Sequence, residues 1–166
     1  AIVDVNGKAD LRRARLSVIH TPTSREACST QAFLDAMRKI PARVTVVTGR
    51  THDEIINLKQ RHHAAFDHIR GAFSINSLEN AALGIVNLVG VVPEYRRYLR
   101  ERHGVTLPWP EIETIQDVAD YIRAMALQHH SETAKEQERM RTWFWDEWAP
   151  EKVAARVAAA YRRLLA

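Results

Sequence analysis

The stretch Gly71-Ala-Phe-Ser-Ile-Asn-Ser-Leu-Glu-Asn-Ala-Ala-Leu-Gly84, followed by Ile85-Val-Asn-Leu-Val-Gly90, decides how the chain reads. It predicts a loop, a short helix and then a strand. Ser74, Asn76 and Ser77 are residue types that cap helix starts, where the first backbone N–H groups lack an intrahelical partner. Such a start attracts anions, phosphate above all. Glu79 falls about one turn into the same helix. Taken locally, the residues fit a capped surface helix at least as well, with Glu79 merely complementing its positive end.

On the N-terminal side of this stretch, strand and helix signals alternate. Leu16-Ser-Val-Ile-His20 reads as a short strand, and Thr21 to Arg25 as a loop stopped by proline and small hydroxyl residues. Phe33, Leu34, Met37 and Ile40 recur at helical spacing within Gln31 to Ile40, which Pro41 closes. Arg43 to Thr48 is a β-branched strand ending at Gly49. Thr51-His-Asp-Glu54 has the form of a capping box, opening a helix that ends at His62-His63. Ala64 to Ile69 is a third strand, and Ile85 to Val89 a fourth whose continuous apolar character suits burial on both faces. Four alternations with short loops predict an α/β fold, a Rossmann-like parallel sheet flanked by helices.

Beyond Val92 the pattern turns helical. Glu94 to Arg102 is a basic helix, Leu107-Pro-Trp-Pro110 a rigid connector and Ile115 to Leu127 an amphipathic helix. Ser131 to Trp148 is a long helix with Trp143, Phe144, Trp145 and Trp148 at its end. Pro150 suits the first turn of a last helix, along which Val153, Val157, Tyr161 and Leu164 recur. Residues 1–15 read as an irregular, partly basic lead-in or linker. Residues 16–166 form one domain, including closing helices over 94–166.

Composition bounds the function. The 166 residues make about one domain, large enough to bury a core without metals or disulfides. A net charge of +4 and a pI near 9.5 favour an anionic ligand. Nucleic acid is not indicated, because the bases are interspersed with acids. Cys28 is the only cysteine, which excludes an internal disulfide and a zinc knuckle and suits a reducing, cytoplasmic setting, free or peripheral to a membrane. No apolar run approaches the ~18 residues of a membrane span. His62-His63 and His129-His130 are adjacent pairs that face different sides of a helix, so no metal is expected. Cys28 reads as a partly buried thiol in preference to a nucleophile, and the Trp-rich stretch as packing in preference to a sugar platform.

In open α/β sheets, ligands bind beyond the carboxyl ends of the strands. Three loops are expected there: Thr21 to Ser29, Gly49 to Asp53, and Gly71 to Ser77. The first brings Arg25, the second Arg50 and the third a helix start with Glu79. A cation, a ring of backbone donors and a carboxylate suit a nucleotide diphosphate: Arg25 on the phosphates, the helix start beside it, Glu79 accepting from ribose hydroxyls. His20, Gly49 and Arg50 stand where a base or sugar would lie, although His20 fits a satisfied histidine at a sheet edge equally well.

These residues resemble the sugar-nucleotide signature of retaining glycosyltransferases of the two-domain GT-B architecture. The likeness lies in Gly71, Phe73, Ser74, Glu79, Ala81-Ala82 and Gly84, in the loop from His20 to Phe33, and in the closing segment from Trp145 to Leu165 with Trp148, Pro150 and Tyr161. It implies the C-terminal, donor-binding half of a longer enzyme, needing an N-terminal acceptor domain for catalysis. It also implies a nucleotide-diphosphate sugar as donor substrate, with no further cofactor. Glu79 would hold the donor ribose, Arg25 the diphosphate, and Ser74, Asn76, Ser77 and Leu78 would line the phosphates through backbone donors. Two positions depart from the family. Gly71 stands where a second acidic residue is frequent, and Cys28 where a lysine often contacts the diphosphate. A missing cation weakens stabilisation of the leaving group. The competing expectation is a noncatalytic or degenerate α/β module for nucleotide or protein binding.

Overall fold

A computed structural model describes residues 2–4, 16–24, 26, 28–128 and 130–164. Its centre is a five-stranded sheet: β1 (Ile2–Asp4), β2 (Leu16–His20), β3 (Ala42–Val47), β4 (Ala64–Phe66) and β5 (Val86–Leu88), in the spatial order β1-β3-β2-β4-β5. The last four are parallel, as the alternation predicts. β1 runs antiparallel along the β3 edge, with Ile2 opposite Val47 and Asp4 opposite Thr45. The irregular lead-in therefore contributes a strand, formed by long-range pairing that three residues cannot announce locally.

Three helices connect the parallel strands: α1 (Thr30–Met37), α2 (His52–Lys59) and α3 (Ile75–Ala82). Strand side chains alternate between the two faces of the sheet. Val18, Val44, Val46, Phe66 and Leu88 join Phe33 and Met37 of α1 in the larger core. Ile19, Val47, Ala65 and Ile85 pack with Ile55 and Leu58 of α2 and with Leu83. The α/β, Rossmann-like reading holds. The third strand ends at Phe66 and not at Ile69, because Asp67 leaves the ladder while its N–H still donates to the Leu88 carbonyl at 3.0 Å.

The remaining helices are α4 (Pro93–His103), α5 (Ile115–Leu127), α6 (His130–Trp148) and α7 (Pro150–Leu164). Val118, Ile122 and Met125 of α5 complete the larger core, and Met140 of α6 is buried there too. Trp109, Trp143 and Trp148 pack, whereas Trp145 stays exposed. Phe73 meets Trp109 and Trp148 edge-on at 5.6 Å each, and Trp109 meets Trp143 at 5.1 Å. This aromatic group pins the loop before α3 to the helical layer. Among the described residues, no helix is long and apolar enough to cross a membrane.

Candidate functional site

β2 and β4 lie side by side at the middle of the sheet, yet the chain leaves β2 toward β3 and leaves β4 toward β5 on the other side. This reversal creates a crevice at the carboxyl ends of β2 and β4, the usual ligand position in such sheets. The segment after β2 begins at Thr21, and the segment after β4 runs from Asp67 to Ser74. Arg25, assigned to the diphosphate from sequence, lies outside the described residues.

α3 starts at this crevice and is fixed at both ends. Ser74 is its N-cap, with its Oγ accepting from the Ser77 N–H at 3.4 Å and its own N–H donating to Ser77 Oγ at 3.3 Å. At the far end, Gly84 takes the left-handed conformation (φ 70°). Its N–H donates to the Ala81 carbonyl and that of Ile85 to the Asn80 carbonyl, the paired closure of a Schellman motif. Of the four N–H groups expected to line the phosphates, three are committed: Ser74 N–H to Ser77 Oγ, Ser77 N–H to Ser74 Oγ, and Leu78 N–H to the Ser74 carbonyl at 3.2 Å, the first regular bond of the helix. The Asn76 N–H, with that of Ile75 beside it in the first turn, remains for a ligand.

Sequence reading passed over Asp67, on which the crevice is built. Its Oδ2 accepts from Ser77 Oγ at 2.5 Å and Ser74 Oγ at 2.8 Å, while Oδ1 lies 3.3 Å from His68 Nδ1. Burial pushes the Asp67 carboxyl upward, but hydrogen bonds from His68, Ser77 and Ser74, with the charge on His68, hold it at about 2. In return, the Asp67 hydrogen bond raises the His68 pKa against the opposing effect of burial. His68 Nε2 also donates to the Ala72 carbonyl at 3.0 Å, so both ring nitrogens act as donors.

His20 is wholly buried. A carbonyl oxygen only accepts, so Nδ1, 2.9 Å from the Phe66 oxygen, carries the proton. Nε2 then accepts from the Thr30 hydroxyl at 2.8 Å. Desolvation lowers the pKa to about 4, despite the raising effects of the Phe66 carbonyl and Asp67. The ring also packs against Phe33 and Phe66, which stack on each other at 4.4 Å. His20 thus joins β2, β4 and α1 under the crevice and presents no surface to it.

Glu79 occupies a second cluster beside the first. Its Oε2 accepts from Lys59 Nζ at 2.8 Å, and Oε1 lies 3.8 Å from His52 Nδ1. Lys59 has no solvent exposure, whereas the Glu79 side chain retains 24%. The ammonium also donates to Asn76 Oδ1 at 2.6 Å, and Thr21 Oγ1 donates to the same oxygen at 3.1 Å. Lys59 gave one sequence signal: it falls four residues after Ile55, on the apolar side of α2. Gly49, in the left-handed region (φ 65°), and Arg50 precede α2. Arg50 is paired to Glu54 at 3.0 Å on the exposed rim. Cys28 is a half-buried free thiol in the turn before α1. Among the described residues, no group of three or more His, Cys, Asp or Glu is placed to hold a metal.

The crevice therefore offers two open helix-start donors and a carboxylate held on one side only. Comparison of the chain with protein-family models, with curated proteins and with solved structures finds no match.

Proposed function

We propose that this chain is the donor-binding domain of a GT-B type glycosyltransferase, which moves a sugar from a nucleotide sugar to an acceptor with an N-terminal partner domain. One observation carries the reading. The α3 start lies at the carboxyl edge of β2 and β4, with Glu79 one turn inside it and its Oε1 facing only the exposed His52, 3.8 Å away. In this reading the Ile75 and Asn76 N–H groups bond the diphosphate, assisted by Arg25. Glu79 Oε1 accepts from the ribose, and the base lies toward Gly49 and Arg50. The partner domain supplies the acceptor site and closes the cleft against water.

The test is thermal unfolding with UDP-, GDP- and ADP-sugars, since a ligand of the folded state stabilises it by RT ln(1 + [L]/Kd), about 2.7 kcal/mol at a hundredfold excess over Kd. Ile75→Pro is the informative variant. Proline is favoured at the first helical position and removes only an N–H. Ser74 before it is already extended (φ −110°, ψ 176°), and the Ile75 side chain is exposed. The variant keeps its ligand-free melting temperature and binds the nucleotide sugar about tenfold or more weakly, the loss expected for a hydrogen bond to a charged group. No shift with any of the three sugars, or an undiminished shift in Ile75→Pro, refutes the reading.

α7 favours a second reading, a protein-interaction module. Val153, Val157, Tyr161 and Leu164 are exposed along this helix, and Val153 and Val157 border a groove of about 460 Å³ facing Tyr95 and Tyr98. That reading gains if no nucleotide sugar binds.

A further inference from the structure

We infer that Lys59 is a positioning residue for ribose recognition, holding Glu79 and Asn76 so that the site distinguishes a ribonucleotide from its 2′-deoxy counterpart; this rests on the nucleotide-sugar reading. A wholly buried lysine is uncommon, and burying its charge is costly unless it is paired. A packed apolar residue at the end of α2 would often serve the fold as well or better. What lysine adds is direction. Its ammonium only donates, so the Asn76 atom 2.6 Å away must be Oδ1. The Asn76 amide is thereby oriented, and Nδ2 is left to donate. The same ammonium takes Oε2 of Glu79 and leaves Oε1 to accept.

A vicinal diol needs such a set, an acceptor and a donor held at adjoining positions. Glutamate and asparagine free in water would each lose rotamer freedom on meeting it. Lys59 removes that loss before the ligand arrives, which is the physical content of preorganisation. Thr21, donating to Asn76 Oδ1, ties the pair to the end of β2. Lys59 itself does not touch the nucleotide.

The experiment compares Kd values of UDP, GDP and ADP with those of dUDP, dGDP and dADP, for the wild-type chain and for Lys59→Met, well below their melting temperatures. The wild type prefers the ribonucleotide by about tenfold or more, as expected for a hydrogen bond to a charged acceptor. In Lys59→Met that ratio falls toward one, whereas a lysine that only ties α2 to α3 would lower stability and leave the ratio unchanged. As a second measurement free of any folding defect, the Lys59 ¹⁵Nζ resonance of the wild type shifts with the ribonucleotide and much less with its deoxy counterpart. An unchanged ratio in Lys59→Met, or a resonance that responds alike to both, overturns the positioning role while leaving the donor-site reading intact. Absence of wild-type binding to every nucleotide overturns both.

Discussion

His20 makes acid stability of this fold a direct test of the geometry at the β2–β4 edge. Its pKa of about 4, against 6.5 for the open ring, makes the neutral state worth about 3 kcal/mol at ~1.36 kcal/mol per unit of separation. The sign follows from proton counting. Between pH 6.5 and 4 the unfolded chain binds a proton at this site that the folded chain refuses. Stability is therefore full above pH 6.5 and falls with pH through that window, at up to about 1.4 kcal/mol per pH unit. The structural cause is specific. A second proton at Nε2 would meet the Thr30 hydroxyl, which now donates, among aromatic rings that solvate no charge.

The informative perturbation is His20→Asn, because asparagine Nδ2 can still donate to the Phe66 carbonyl but does not titrate. At pH 7 it costs about 2–3 kcal/mol, from the unsatisfied Thr30 hydroxyl and lost ring packing. Urea denaturation of both proteins every half unit from pH 7.5 to 4 then measures their stability difference. That difference narrows by about 3 kcal/mol on acidification, since the wild type loses what the variant never had. His62, whose pKa burial lowers, and His68, whose pKa Asp67 raises, titrate in both proteins and cancel to first order. A difference constant across the range, or a His20 resonance titrating near 6.5, refutes the buried neutral ring.

Four further outcomes follow from the surrounding structure. Asp67→Asn removes about 2 kcal/mol that the wild type holds above pH 3.8 and loses as pH falls through about 2; NMR titration also finds the His68 pKa lowered in the variant. Glu79→Ala leaves the buried Lys59 with Asn76 alone and costs about 2–3 kcal/mol, below the fully buried range because Glu79 is partly exposed; calorimetry finds Lys59→Met/Glu79→Ala less destabilised than the sum of its singles, and additive losses would contradict the pair. Gly90→Ala brings a Cβ to 2.7 Å from Arg70 N and 3.2 Å from the Ile112 carbonyl, both backbone atoms, and costs about 2–3 kcal/mol in melting experiments. Gly49→Ala enters open space and costs only its left-handed backbone, about 1 kcal/mol.

Periodicity exposed the parallel sheet because local and tertiary preferences agree there. The β-branched run before Gly49 and the capping box at Thr51 need no distant partner to be recognised. What stayed hidden depends on distant contacts. β1 exists only through its register with β3, and Asp67 reads as the tail of a strand until Ser74 and Ser77 fold back onto it. Lys59 reads as a cation at a helix end, its ordinary solvated place. Only the packing of α2 beside α3, which brings Glu79 and Asn76 over it, buries the ammonium. His20 was legible as a histidine beside the crevice, but its burial comes from Phe33 and Phe66, remote in sequence.

The two readings of the α3 start, capped helix and anion site, are compatible because they use different donors. Asp67 engages both cap hydroxyls, so a phosphate could recruit Ser74 or Ser77 side chains only by displacing a buried carboxylate from its partners. That exchange would strand Asp67 beside the incoming negative charge, and both desolvation and repulsion oppose it. Within α3, a phosphate would therefore meet only the main-chain N–H groups of Ile75 and Asn76, which no side-chain substitution removes except proline. The two acids divide in the same way. Asp67 is spent on holding the loop, while Glu79 has one oxygen fixed by Lys59 and the other 3.8 Å from the exposed His52, with no hydrogen bond holding it. On the proposed reading, α3 recognises the nucleotide through this backbone turn and through the Glu79 oxygen and Asn76 amide that Lys59 orients, and for that reason Ile75→Pro and Lys59→Met probe it independently.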